Sequence, residues 1–429
     1  MTRVLLAPAA WQFTSFAGSE SGWVYDIVTG MLENDPELHF TCIAESVDSL
    51  VVDRMEQHAV GTRRTVEVGG AVLPLRIAAT TRRMKILDRV DLVHHGLPFA
   101  LDRTYSVIAR QAARRQLPFV VGPIQTPLTF MGSDEKEGQI MLPQRTLAQA
   151  GSRSIARVAS PLASRLFSRL SSATLHSAQR VVAIDERTRE SLIARGVVPE
   201  RILVIPPPLR VSENKRRFSG SDGEIVRVVT VGYLIERKAV DQVISAVARL
   251  AASGFSVALD VVGDGPELPT LRRLVGQLPG GESVRFHGWL ERHALQQVLS
   301  SAHVYVTMSR AESWGQAVVE AMAQGLVVVS AANDGARSLI ALGAPVRLVG
   351  IGATGELDVT LRDWCGQTPA LIRSSGAAGI DWVNSTVTAP VVARRWCEAY
   401  NQAVEENTRV LYRSKGEHKH NEKGGIDNV

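Results

Sequence analysis

Lysine is scarce in this chain of 429 residues: seven lysines stand against 41 arginines, and three of the seven fall in the last fifteen positions. The bias points to GC-rich bacterial coding rather than to a function, yet it makes a lone lysine inside a motif conspicuous. Cysteine is scarcer still. Cys42, Cys365 and Cys397 are an odd number and contain no Cys-x-x-Cys, which fits a reducing cytoplasm. No run approaches 18 uninterrupted apolar residues, so nothing reads as a membrane span. The opening MTRVLLAPAA has a basic residue before a short apolar stretch, but Pro8 interrupts it, and a first β-strand is the better reading than a signal peptide. A formal net charge of +5 is too modest to imply a nucleic-acid partner.

What is present is a soluble, globular composition, 45% apolar with a mean hydropathy near zero. The length exceeds one ordinary core and calls for two domains or three. Short β-branched runs alternate with helical patterns throughout. RVLLAP (3–8), LHFTCIA (38–44), VDLVHH (90–95), PFVVG (118–122), RVVAI (180–184) and RILVIP (201–206) come first. VRVVTVG (226–232), VALDVVG (257–263), VRFHG (284–288), HVYVTM (303–308), LVVVS (326–330) and VRLVG (346–350) repeat the scheme. Such runs, buried on both faces and separated by helices, predict parallel sheets in doubly wound α/β layers. The proline-rich, then charged, then Gly/Ser-rich stretch 206–224 reads as a linker. The expected organisation is an N-terminal domain over 1–205 and a second over 225–389. A helix over 390–412 packs back on the first domain, and a polar, unstructured tail covers 413–429. Paired domains of this kind take a ligand outside the carboxyl ends of their strands.

Three stretches carry chemistry. In VVTVGYLIERKAVDQ a strand ends at Gly232, and Arg237 and Lys238 precede a helix. Cations beside open helix N–H groups suit an anion such as a diphosphate, although two solvated surface charges would look the same. In VALDVVGDGPEL, Gly263 and Gly265 permit a tight turn, and Pro266 fits a helix start. This is not a nicotinamide fingerprint, because Leu268 occupies the place of the third glycine. In SRAESWGQAVVEAMAQG, Glu312 sits at a strand's carboxyl edge. Glu320 lies within two turns of the following helix start, among Ala317, Val318, Val319, Ala321, Met322 and Ala323. An unpartnered carboxylate there is costly. Ionised carboxylates only accept, and vicinal sugar hydroxyls are paired donors, so both acids suit a sugar or ribose. Gly315, after Trp314, lets backbone approach a ligand, and the helix start adds N–H groups for phosphate.

Residues 226–335 resemble the nucleotide-sugar domain of family 4 retaining glycosyltransferases with the GT-B fold. The likeness rests on Gly232 with Lys238 six residues later, on Val262 to Pro266, on Val284 to Gly288, and on Glu312, Glu320-Ala-Met-Ala and Gly325. It implies two Rossmann-like doubly wound domains facing a central cleft, with Glu312 on the transferred sugar, Glu320 on the ribose and Lys238 on the diphosphate. Three positions depart from the family pattern. Tyr233 replaces the usual arginine, leaving Arg237 to supply the second charge; Val327 replaces a proline; and only Gly335 remains of a common glycine pair. In the first domain, Gly18 and Gly22 match the family's glycine loop. Asp91, His94 and His95 fall on its Asp-x-x-His-x-His strand end, with Gly96 in the last place. Either histidine faces the reacting centre, or both serve structure; adjacent strand residues point to opposite faces.

No Asp-x-Asp occurs, so the expected chemistry needs no metal or cofactor, and the substrate is a UDP-, GDP- or dTDP-sugar. Catalysis is assigned to Glu312, Lys238, Arg237, His94 and His95. Donor binding is assigned to Glu320, Gly232, Gly315, Trp314, Gly263, Gly265, Gly288 and Gly18, with base recognition near His287 to Trp289. The acceptor is a small molecule or a lipid-linked one. The acid-free, arginine-rich amphipathic stretch 152–170 either lies on anionic lipid at the inner face of the plasma membrane, packs on its own domain, or receives an anionic acceptor. A GT-B-like nucleotide-sugar 2-epimerase and a lapsed nucleotide-sugar-binding protein are the competing readings.

Overall fold

The computed structural model describes residues 1–8, 12–13, 20–44, 46–47, 52–60, 69–96, 106–126, 168–209 and 225–423. These form two compact units. One comprises the described residues up to 208 together with 389–423, and the other comprises residue 209 with 225–388.

The first unit is built on β1 (Thr2–Leu6), β2 (Leu38–Ala44), β3 (Met55–Ala59), β4 (Leu92–His95), β5 (Phe119–Ile124), β6 (Arg180–Ala183) and β7 (Ile202–Val204). The strands run in the order β3-β2-β1-β4-β5-β6-β7, each neighbouring pair parallel. The edge strand β3, Met-Glu-Gln-His-Ala, was not expected, because one side of it faces solvent and its sequence is polar. Alternation along the strands divides the core in two. Val4, Leu6, Leu92, Val120 and Val182 enter one hydrophobic cluster, while Leu5, Ala7, Val93, Val121 and Val181 enter the other.

The first of these clusters is closed by the C-terminal helix Ala389–Lys423. Val392, Ala393, Trp396, Ala399, Tyr400 and Ala403 recur at helical spacing and are buried with Val24, Val28 and Met31 of helix Glu20–Asn34. The crossing is close: a Cβ on Gly30 would stand 3.0 Å from that of Ala393. Glu406 binds Arg180 and Arg201 at the far edge of the sheet. The helix begins one residue before Pro390 and continues to Lys423, well into the stretch expected to be an unstructured tail.

The second unit carries β8 (Val226–Val231), β9 (Val257–Val262), β10 (Val284–Gly288), β11 (Val304–Thr307), β12 (Val327–Ala331) and β13 (Val346–Val349). Their order is β10-β9-β8-β11-β12-β13, again all parallel. Both sheets are therefore doubly wound in the Rossmann manner: strands step outward from the first, and the chain then resumes on its other side. The uninterrupted buried, Val-rich runs of β11 and β12 explain why these strands lie inside the sheet, since both of their faces are covered. Among the described residues no helix is long and apolar enough to cross a membrane.

Candidate functional site

In the second unit the winding reverses between β8 and β11. Loops leaving adjacent strands for opposite faces open a crevice at the carboxyl ends, which is where ligands bind in such sheets. The two loops at this point, Gly232 to Ala239 and Met308 to Gly315, are laced together. The Arg310 N–H donates to Arg237 O at 2.9 Å, the Arg237 guanidinium donates to Ala311 O, and Arg310 pairs with Glu236 at 3.3 Å. The Lys238 ammonium donates to Glu312 Oε1, and Arg237 Nη1 lies 3.9 Å from the same oxygen. The three charged side chains are about one-fifth exposed (Arg237 22%, Lys238 20%, Glu312 19%).

Local sequence explains how these groups are held. A Cβ on Gly263 would meet Gly232 O at 1.9 Å, and one on Gly265 would meet Leu234 O at 2.4 Å. Only glycine allows the turn after β9 to lie against the loop after β8. That contact is hydrogen-bonded: Leu234 N–H donates to Asp264 O at 2.9 Å, and Glu267 N–H donates to Leu234 O at 3.0 Å. The glycine turn is thus a buttress for the segment bearing Arg237 and Lys238. Gly288 ends β10 and accepts from Gly263 N–H at 2.8 Å. Tyr233, just after β8, and Trp289, just after β10, are largely exposed, and His287 is paired with Asp260 at 2.7 Å.

Glu312 is fixed from behind. Its carbonyl accepts from Gly335 N–H at 2.9 Å, and a Cβ on Gly335 would stand 3.0 Å from Glu312 Cβ. Asn333 supports the same corner, capping helix Asp334–Ala341 through Ala336 N–H at 2.9 Å and donating to Ser309 O at 2.8 Å. Sequence reading overlooked Asn333, although Asn before Asp-Gly-Ala is a helix-start signal. Gly315, at φ 90°, opens helix Gln316–Ala323 with no side-chain cap. Trp314 is buried, and its indole N–H has no partner among the described residues.

Glu320 sits in this helix. Burial pushes its carboxyl above the ordinary range, while the Arg292 cation and a hydrogen bond from Gln316 pull the other way. Tyr305 of β11 reports on both acids: its phenol is raised first by burial and then by the charges of Glu312 and Glu320. Both carboxylates therefore act on one side chain of β11. The sequence-assigned catalytic residues Arg237, Lys238 and Glu312 and donor-binding residues Gly232, Gly263, Gly265, Gly288, Trp314, Gly315 and Glu320 all belong to the strand ends, loops and following helices of this one sheet. Two cations beside an uncapped helix start suit an anion. Two carboxylates beside them suit hydroxyl donors.

The histidines of the first unit fare differently. Both end β4 and are 1% exposed. His94 faces the C-terminal helix, 4.9 Å from the Trp396 ring between centroids. Its Nε2 lies 2.8 Å from Gly122 O, a pure acceptor, so that nitrogen carries the proton. Nδ1 then accepts from the Tyr400 hydroxyl at 2.7 Å. Burial lowers its pKa to about 4. With both nitrogens engaged inside the unit, His94 has none left for a substrate, and its assignment as catalytic is corrected to a packing role. His95, on the opposite face, has neither ring nitrogen partnered among the described residues, and burial holds its pKa at about 3. Gly18 and residues 152–167 lie outside the described residues.

Two family models cover most of the chain. One described as glycosyl transferase 4-like domain matches residues 17–208, and one described as glycosyl transferases group 1 matches residues 211–351. Among curated relatives, the phosphatidylinositol N-acetylglucosaminyltransferase gpi3 subunit of Schizosaccharomyces pombe is 26% identical over 158 residues, 37% of this chain and 35% of that protein. The 2-deoxystreptamine glucosyltransferase of Streptomyces kanamyceticus is 26% identical over 220 residues, 49% of this chain and 57% of its own. The chain thus matches about a third to just over half the length of these relatives. Among solved structures, Anabaena Alr3699/HepE in complex with UDP-glucose superposes with a TM-score of 0.60 at 17% identity, covering 94% of this chain and 100% of that one. With two Rossmann-like sheets and a glycosyltransferase model matching on each side of the inter-unit segment, the chain has the GT-B fold and is similar to glycosyltransferases in both units.

Proposed function

We propose that this protein is a retaining glycosyltransferase that moves a sugar from a nucleotide-diphosphate sugar to an acceptor hydroxyl, without a metal ion. The observation carrying this reading is the convergence of Lys238, Arg237 and Glu312 where the second sheet reverses its winding. In the proposed reaction the bond between the anomeric carbon and the phosphate oxygen breaks, and a bond from that carbon to the acceptor oxygen forms on the same face. The departing phosphate takes the acceptor's proton. Lys238, Arg237 and the N–H groups at the start of helix Gln316–Ala323 stabilise charge developing on the diphosphate. Glu312 accepts from hydroxyls of the sugar, and Glu320 accepts from those of the ribose.

Relatives named for glucosyl and for N-acetylglucosaminyl transfer support a hexosyl or N-acetylhexosaminyl donor. A protein of the same fold holds UDP-glucose, which therefore heads the donor panel. Incubation with UDP-, GDP- and dTDP-sugars, with and without small-molecule and lipid-linked acceptors, tests the proposal by nucleotide release. Acceptor-dependent release that persists in EDTA, with the donor's anomeric configuration kept in the product, is the expected result. Release of free sugar without any acceptor would overturn transfer. Co-sedimentation with anionic vesicles tests membrane contact through residues 152–170.

A further inference from the structure

We infer that Glu312, besides facing the sugar, makes the site select a nucleoside diphosphate that still carries its sugar over the bare diphosphate. The inference rests on the proposed reading of the site and concerns its specificity and product release.

In this site one ammonium serves two competing anions. Lys238 donates to Glu312 Oε1, and Arg237 stands 3.9 Å from that same oxygen. A diphosphate in this crevice would draw on the same two cations. The acid and the amine are not equally free to move. Glu312 is pinned through its backbone and Cβ against Gly335. Lys238 reaches it along a flexible stem that passes over Gly232, where a Cβ would lie 3.6 Å from Lys238 Cε. The amine has the longer free stem, while the acid is held at its backbone and Cβ.

With a sugar attached to the diphosphate, hydroxyls donate to Glu312 and replace the lysine. The ammonium then turns to the phosphate, and every charged group keeps a partner. With the bare diphosphate, drawing Lys238 away leaves Glu312 four-fifths buried beside a second anion with no donor. A partly buried carboxylate stripped of its partner is costly, and like charges placed together add to the cost. Glu312 therefore disfavours the bare diphosphate. Once the sugar has left with the acceptor, the carboxylate reclaims Lys238 and hastens release of the nucleotide.

The test is calorimetric titration of the full chain with matched pairs: UDP and UDP-glucose, GDP and GDP-mannose, dTDP and dTDP-glucose. Wild type, Glu312→Gln, Lys238→Met and the double variant are compared. Wild type is expected to bind one sugar nucleotide more tightly than its bare diphosphate. Glu312→Gln should bind the bare diphosphate on the order of tenfold more tightly and the sugar nucleotide no more tightly. In the Lys238→Met background that gain should largely vanish, which marks coupling through the pair. If the gain persists without Lys238, simple repulsion explains it and the inference fails. It also fails if Glu312→Gln leaves the diphosphate affinity unchanged, or if wild type prefers the bare diphosphate. The wild-type comparison stands even where a variant does not fold. Should no member of any pair bind wild type, the proposed function itself is overturned.

Discussion

Lys238 and Glu312, 74 positions apart in sequence, meet as a hydrogen-bonded ion pair across the switch point of the second sheet. Each sits on a loop braced by backbone hydrogen bonds rather than by packing alone. A pair so placed aims charge at a ligand, and with each partner only about one-fifth exposed it also counts in the fold, unlike a surface pair worth about 0–1 kcal/mol.

Lys238→Ala should therefore cut turnover by about 10²–10³-fold, the usual effect of removing one preorganised donor to developing charge. The thermal midpoint should also fall, because Glu312, about one-fifth exposed, loses its partner. Steady-state rates beside a melting curve check both halves, and near-normal turnover would remove Lys238 from the mechanism.

Gly263→Ala should weaken donor binding and destabilise the second unit, because its Cβ would stand 1.9 Å from Gly232 O. Gly276, inside helix Leu268–Gln277, has nothing within 4 Å of its Cβ position. Gly276→Ala should be neutral or gain up to about 1 kcal/mol. Urea denaturation of the two variants gives the contrast.

Tyr400→Phe removes the only donor the described residues offer to His94 Nδ1. Leaving that buried nitrogen unsatisfied should cost about 1–3 kcal/mol. Trp396→Ala, which empties a fully buried indole site, should cost about 3–5 kcal/mol. Both losses would appear as lower urea midpoints and would show that the C-terminal helix is part of the first unit's core.

The same histidines give a pH dependence. His94 and His95 are held at about 4 and about 3 by burial, below the 6.5 of a free imidazole. Between pH 6.5 and about 4 the unfolded chain binds protons that the folded chain refuses, so these groups make stability fall as pH drops through that window. The slope is at most about 1.4 kcal/mol per pH unit for each histidine. Glu320, raised by burial, acts in the opposite sense above pH 4.5. Two of the ten imidazoles should show no titration by NMR above pH 5, and titration of all ten near 6.5 would contradict the burial.

Much of this was legible in the sequence because burial on both faces leaves a mark. Each β-branched apolar run named at the outset holds a strand, and β3 escaped notice because a polar edge strand leaves none. The burial of Glu320 was legible for a related reason: it stands among alanines and valines, where a carboxylate is costly without a partner. Its companions Arg292 and Gln316 were not, since a surface arginine and a helix glutamine are ordinary. Neighbouring His94 and His95 had to face opposite ways, but which face held a partner depended on Tyr400, 306 residues distant. The glycine turn after β9 looked like a plain strand-to-helix connection. Its role as a buttress rests on the approach to Gly232 O, which local sequence does not encode.

Hydrogen–deuterium exchange of the full chain, with and without a saturating sugar nucleotide from the donor panel, tests the central claim most directly. The account predicts protection concentrated in residues 232–239 and 308–320, the two loops and the helix start that carry Lys238, Arg237, Glu312 and Glu320. Protection confined to other segments, with those two unchanged, would contradict it.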